Sequence, residues 1–148
     1  MKDLYLFELN AITEPPCGID AGHCRDRRLD AYLLTGVAQF IDTLDSDSWK
    51  VIIPHGKDES DAYWLKDENS ASGKNFIYCN TYTELIDFIK KHKEYAATLF
   101  INDYLDAIDP LVKLNCKVIL IDKNDDLLPP HNCLYANNYL NIQKIINP

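Results

Sequence analysis

Carboxylates stand where several apolar runs give way to polar residues: Glu8 after YLF, Asp103 and Asp106 after TLFIN, and Asp122 and Asp125 after VILI. Their oxygens are the ligands that hard divalent cations such as Mg²⁺ take, and paired acids also serve general acid/base chemistry. Asn10, Thr13, His55, Gly56, Asn80, Thr81 and Asn102 hold comparable places after other runs or beside these acids. Acids predominate in that set, which favours a divalent cation over a bare anion. Cys17, His23 and Cys24, in CGIDAGHC, offer softer ligands. A structural zinc site needs a fourth ligand, and no second Cys/His pair stands at zinc spacing, so these read as loop residues that pack or stay solvated. The five cysteines include no Cys-x-x-Cys pair and leave one over, which fits reduced thiols rather than a disulfide framework.

The elements that must position these groups follow from periodicity. Short, nearly continuous apolar runs at Leu4–Leu9, Trp49–Ile53, Asn75–Cys79, Thr98–Ile101 and Lys117–Ile121 have the character of strands covered on both faces, as in a parallel sheet. Between the first two, DRRLDAYLLTGVAQFIDTLD places Leu29, Tyr32, Leu33, Val37, Phe40, Ile41 and Leu44 on one helical face, predicting a helix that begins near Asp26. A second helix is expected near Glu59–Glu68, ended by the Ser/Asn/Gly cluster 69–73. A third opens with Thr81 and Glu84 as a capping box and buries Leu85, Ile86 and Ile89. A fourth spans about Asp106–Leu114, with Asp109 as cap and Pro110 in the first turn, and a last one Asn138–Ile146, after Tyr135–Ala136. Strand and helix alternate without repeat or interior linker. The expectation is an α/β fold over 1–148 as a single domain, a doubly wound, Rossmann-like, mainly parallel sheet of five or six strands. In such sheets chemistry lies beyond the carboxyl ends of the strands, where the acids and amides above fall.

Of the 148 residues, 15 are Lys or Arg and 23 Asp or Glu, a formal charge of −8. Such an acidic protein would repel a phosphate backbone, so nucleic acid is not the expected partner. With no apolar run near the ~18 residues of a membrane span, and acids within MKDLYLFELN where a signal peptide is apolar, membrane insertion is not expected and a cytoplasmic protein is.

In element order and at two strand ends the chain resembles the haloacid dehalogenase (HAD) superfamily of phosphohydrolases. YLFELNAIT and TLFINDYLDAIDPLVKLNCKVILID carry the likeness. In the family the first strand ends in Asp-x-Asp-Gly-Thr, the first aspartate attacking phosphorus and the second acting as general acid/base; here Glu8 and Asn10 hold those places. Asn102 and Asp103 match the family's Gly-Asp after the fourth strand, and Asn115 stands where the family often has a helix-ending glycine, a position asparagine tolerates. The family's next acid falls at Ala107, with Asp106 and Asp109 nearest, and its second-strand hydroxyl falls at Pro54 or His55. Lys90, Lys91 and Lys93 are the candidates for its lysine.

The resemblance implies a HAD-like domain without a sizeable cap, Ala11–Arg25 being too short to fold as one. Its Mg²⁺ would be held by Glu8, the Asn10 carbonyl and Asp103, with Asp106 nearby, and His55 and Asn102 would face a ligand. Glutamate shifts the attacking oxygen by more than ~1 Å, which can cost ~10²-fold. Asparagine removes a proton carrier worth ~10²–10⁴-fold. The expected function is therefore a pseudoenzyme that binds a protein partner or a phosphorylated small molecule. The alternative is a divergent Mg²⁺-dependent phosphohydrolase or phosphotransferase using Glu8 and Asp103. Plainer roles stand beside these: Glu8 as a solvated acid, Asp103 as a helix-start residue accepting backbone N–H bonds, His55 as a loop histidine and Thr81 as a cap. Nine tyrosines, with Tyr63, Trp64 and Tyr78 near the middle, suit either a partner surface or half-buried packing.

Overall fold

A computed structural model describes residues 2–13, 34–54, 75–79, 81–102, 109–114, 116–122 and 133–147. Six strands form one sheet: β1 (Lys2–Glu8), β2 (Trp49–Pro54), β3 (Phe76–Cys79), β4 (Tyr95–Ile101), β5 (Lys117–Ile121) and β6 (Leu134–Ala136). Every pairing is parallel, and the strand order is β3-β2-β1-β4-β5-β6. This is the doubly wound, Rossmann-like arrangement, and the order reverses direction between β1 and β4.

Alternation along the strands sends side chains to two cores. Tyr5 and Phe7, Trp49 and Val51, Phe100, and Ile119 and Ile121 face one side, under α1 (Leu9–Ile12), α2 (Val37–Asp42) and α5 (Ile142–Ile146). Leu4 and Leu6, Ile52, Leu99 and Ile101, and Val118 and Leu120 face the other, under α3 (Tyr82–Lys91) and α4 (Asp109–Lys113). Burial on both faces explains why these strands read as continuous apolar runs. On the first face Phe7 stacks on Phe100, its register partner, at 4.7 Å and 9°, and Phe40 and Tyr139 close around that pair.

The Thr81 hydroxyl accepts from the Glu84 N–H and starts α3, as the capping box predicts, and Leu85 and Ile89 are buried one turn apart. Two expected helices are shorter within the described residues. Leu34–Gly36 is not helical, and α2 begins only at Val37, because Gly36 stands at φ +89° with its backbone against Tyr139 and Leu140. The last helix starts at Ile142, not Asn138, since the Asn138 side chain takes the Leu140 N–H at 2.8 Å and turns the chain locally. In α4, Asp109 is itself helical rather than the cap. Leu29–Leu33, Glu59–Glu68 and residues 103–108 lie outside the described residues, as do residues 14–25, where no cap was expected. No helix among the described residues is long and apolar enough to cross a membrane.

The free thiols of Cys79, Cys116 and Cys133 are buried. Burial pushes the Cys116 thiol up from 9.0 to about 12. The unfolded chain therefore loses this proton first as pH rises, so stability held below pH 9 should fall between pH 9 and about 12. One such group gives a slope of about 1.4 kcal/mol per pH unit. Urea titrations of wild type and Cys116→Ala across that range should show the steeper alkaline loss in wild type; equal slopes would show that Cys116 ionises as readily in the folded protein.

Candidate functional site

The strand order reverses between β1 and β4, and the position beyond the carboxyl ends of the strands at such a reversal is the usual ligand position in an open α/β sheet. Glu8 is the last residue of β1 and Asn102 directly follows β4, so the topology brings these two predicted residues to neighbouring strand ends. Both are half-buried. Asp122 follows β5 in the same row; it is only 5% exposed, and its backbone N–H donates to the Ala136 carbonyl at 2.9 Å.

Glu8 points to the α3 side of the sheet, as its even position on β1 requires. There its Oε2 accepts the Tyr82 hydroxyl at 2.9 Å. Tyr82 is the first residue of α3, and the Thr81 cap fixes where that turn begins. Across the sheet, the Tyr139 hydroxyl donates to the Ala11 carbonyl at 2.8 Å, tying α1 to the turn before α5. Burial, and secondarily the Glu8 carboxylate, hold the Tyr139 phenol well above its usual range, so it serves as a neutral donor. Two tyrosines thus flank the end of β1, one holding the carboxylate and one the backbone just beyond it.

Asn10 lies within α1, directly after β1, and is exposed. The Thr13 hydroxyl donates back to the Leu9 carbonyl at 3.0 Å, closing the same turn. His55, Asp103 and Asp106, with Asn80 and Asp125, lie outside the described residues. Among the described residues no group of three or more His, Cys, Asp or Glu side chains is placed to hold a metal ion.

Tyr82 and Tyr139 are the functional-end residues that the sequence reading passed over. Tyr82 had a signal, since it follows a helix cap just after the β3 run and helix starts face the carboxyl ends of a parallel sheet. Tyr139 had none, because its partner Ala11 is 128 positions away. Of the middle aromatics singled out as a surface, Tyr78 is 58% exposed on β3, whereas Tyr63 and Trp64 lie outside the described residues. Compared with known proteins, the chain matches no protein-family model and no curated sequence.

Proposed function

We propose that this is a HAD-like domain that no longer hydrolyses phosphate esters and acts as a binding module, taking a protein partner or a phosphorylated small molecule at the carboxyl ends of β1 and β4. The hydrogen bond from Tyr82 to Glu8 carries the reading. In the resemblance Glu8 stands for the attacking aspartate, and an in-line attack needs a carboxylate aimed at phosphorus. The longer glutamate instead reaches the first turn of α3, where a phenol engages one of its oxygens. Asn10, in the place of the proton carrier, is an amide on an exposed helix surface and has no proton to exchange at neutral pH.

Purified protein with Mg²⁺ should therefore turn over a generic phosphomonoester at the background rate. Robust hydrolysis lost on Glu8→Gln would overturn the proposal in favour of the Mg²⁺-dependent enzyme. The double change Glu8→Asp with Asn10→Asp restores the pair that the resemblance calls for; gained hydrolysis would support descent from a phosphohydrolase scaffold, and continued inactivity would argue against it. Melting temperature supplies a separate readout. A resident Mg²⁺ site would raise stability by RT ln(1 + [L]/Kd), about 2.7 kcal/mol at a hundredfold excess over Kd. A rise of that kind abolished by Asp103→Asn would also favour the enzyme.

A further inference from the structure

At the opposite end of the sheet from Glu8, on the face covered by α3, lies a cleft of about 260 Å³. Its floor is Leu4, with Lys2 beside it on β1, Lys50 on β2 and Tyr95 on β4; Phe88 and His92 of the α3 end form one wall. We propose that this cleft is a second binding site, for a small aromatic molecule carrying an oxyanion such as a phosphate or carboxylate.

The chain as a whole is strongly acidic, yet Lys2 and Lys50 line this cleft beside Asp47, and the His92 ring in it pairs with the Glu94 carboxylate at 3.4 Å. Register places Lys50 opposite Leu6 and Lys2 opposite Tyr95, so the two lysines enter from different ends, their flexible stems reaching inward. Lysine is a point-charge donor suited to phosphate and carboxylate oxygens. The exposed Lys90, Lys91 and Lys93 extend the basic surface just beyond.

Phe88 and His92, four residues apart on one side of α3, have ring centroids 4.4 Å apart, and Tyr95 lies 6.2 Å from His92. Three half-buried rings thus bound a cleft whose floor is a buried leucine. A planar ligand would meet the rings of this wall while its anionic group stays with the lysines. The volume lies just under the usual range for drug-sized ligands, which limits the occupant to one ring and its substituent.

The rim is held in place without a ligand. Asn75, 1% exposed, donates from Nδ2 to the Ser46 carbonyl at 2.7 Å and to the Trp49 carbonyl at 3.0 Å. These bonds pin the turn that carries Ser46 and Asp47 and delivers Lys50. A preset rim lowers the ordering cost of binding.

The test uses phenyl phosphate as probe on the full chain, followed by amide chemical shifts and calorimetry. Saturable shifts confined to Lys2, Leu4, Lys50, His92 and Tyr95 are expected. Lys2→Ala and Lys50→Ala should each weaken binding by about tenfold or more, as loss of a charge-assisted hydrogen bond does. An unchanged spectrum elsewhere will show that the variants fold. Inorganic phosphate should bind more weakly than phenyl phosphate; equal affinity would overturn the aromatic half of the proposal. Absence of saturable shifts at these amides, or lysine variants that bind as wild type does, would overturn the whole. Because Glu8 and Asn10 are not touched, neither result depends on the function proposed for the other end of the sheet.

Discussion

Replacing Phe7 by alanine should lower the unfolding free energy by about 3–5 kcal/mol, the usual cost of emptying a fully buried aromatic position. Phe7 has no exposed surface, stacks on Phe100 at 4.7 Å and touches the ring groups of Phe40 and Tyr139. Neighbouring rings belong to both central strands and to two covering segments, so the cavity cannot close by shifting one side chain. Phe100→Ala should cost a similar amount. The double variant should cost less than both losses together, because each single change already breaks the shared stack; the difference measures a coupling of about 0.5–1.5 kcal/mol. Urea unfolding of the four proteins gives all three quantities. A Phe7→Ala loss under about 1 kcal/mol would mean that this face repacks freely.

Gly36→Ala should cost about 2–5 kcal/mol, a large effect for one added methyl group. A side chain at φ +89° carries left-handed strain of about 1–2 kcal/mol. The new Cβ would also lie 2.6 Å from the Tyr139 carbonyl carbon and 2.7 Å from the Leu140 nitrogen. Both are backbone atoms, so they cannot rotate away, and overpacking of this kind adds about 1–3 kcal/mol. Relief would require pulling the Tyr139 turn back, which would break the bond from its N–H to the Thr35 carbonyl at 2.9 Å. Thr35→Ala is the control: its side chain is exposed, its carbonyl survives, and the change should stay within about 0.5 kcal/mol. Thermal melts of the two variants separate backbone crowding from loss of the turn itself.

The strand positions were legible because burial on both faces writes itself as unbroken apolar runs. Trp49–Ile53 and Lys117–Ile121 appear in the structure within a residue of their expected limits. Helix limits were less legible for a physical reason visible at Gly36. The apolar spacing of Val37, Phe40 and Ile41 continues back through Leu33, and spacing alone does not show that another backbone passes too close for a helix there. The Asn138 side chain likewise competes with the helix for a backbone N–H, a local preference that periodicity does not register. At the candidate site, Glu8 and Asn102 could be placed from strand ends alone. The Tyr82 contact needed the sheet to be folded first, because it joins positions 74 apart.

The pairing of β1 with β4 sets the order in which this chain can fold. β1 leaves the ribosome before the other five strands, and β2 can join one of its edges early. Its other edge waits for Tyr95–Ile101, since Lys2 sits opposite Tyr95 and Phe7 opposite Phe100. Such distant pairing makes folding slow relative to a structure of local contacts. The wait is longer still for the segment just after β1, whose Ala11 carbonyl receives its hydrogen bond only when Tyr139 has been made. A stalled nascent chain ending before Tyr95 would thus present an apolar first strand with one open edge, the condition in which strands pair with the wrong neighbour.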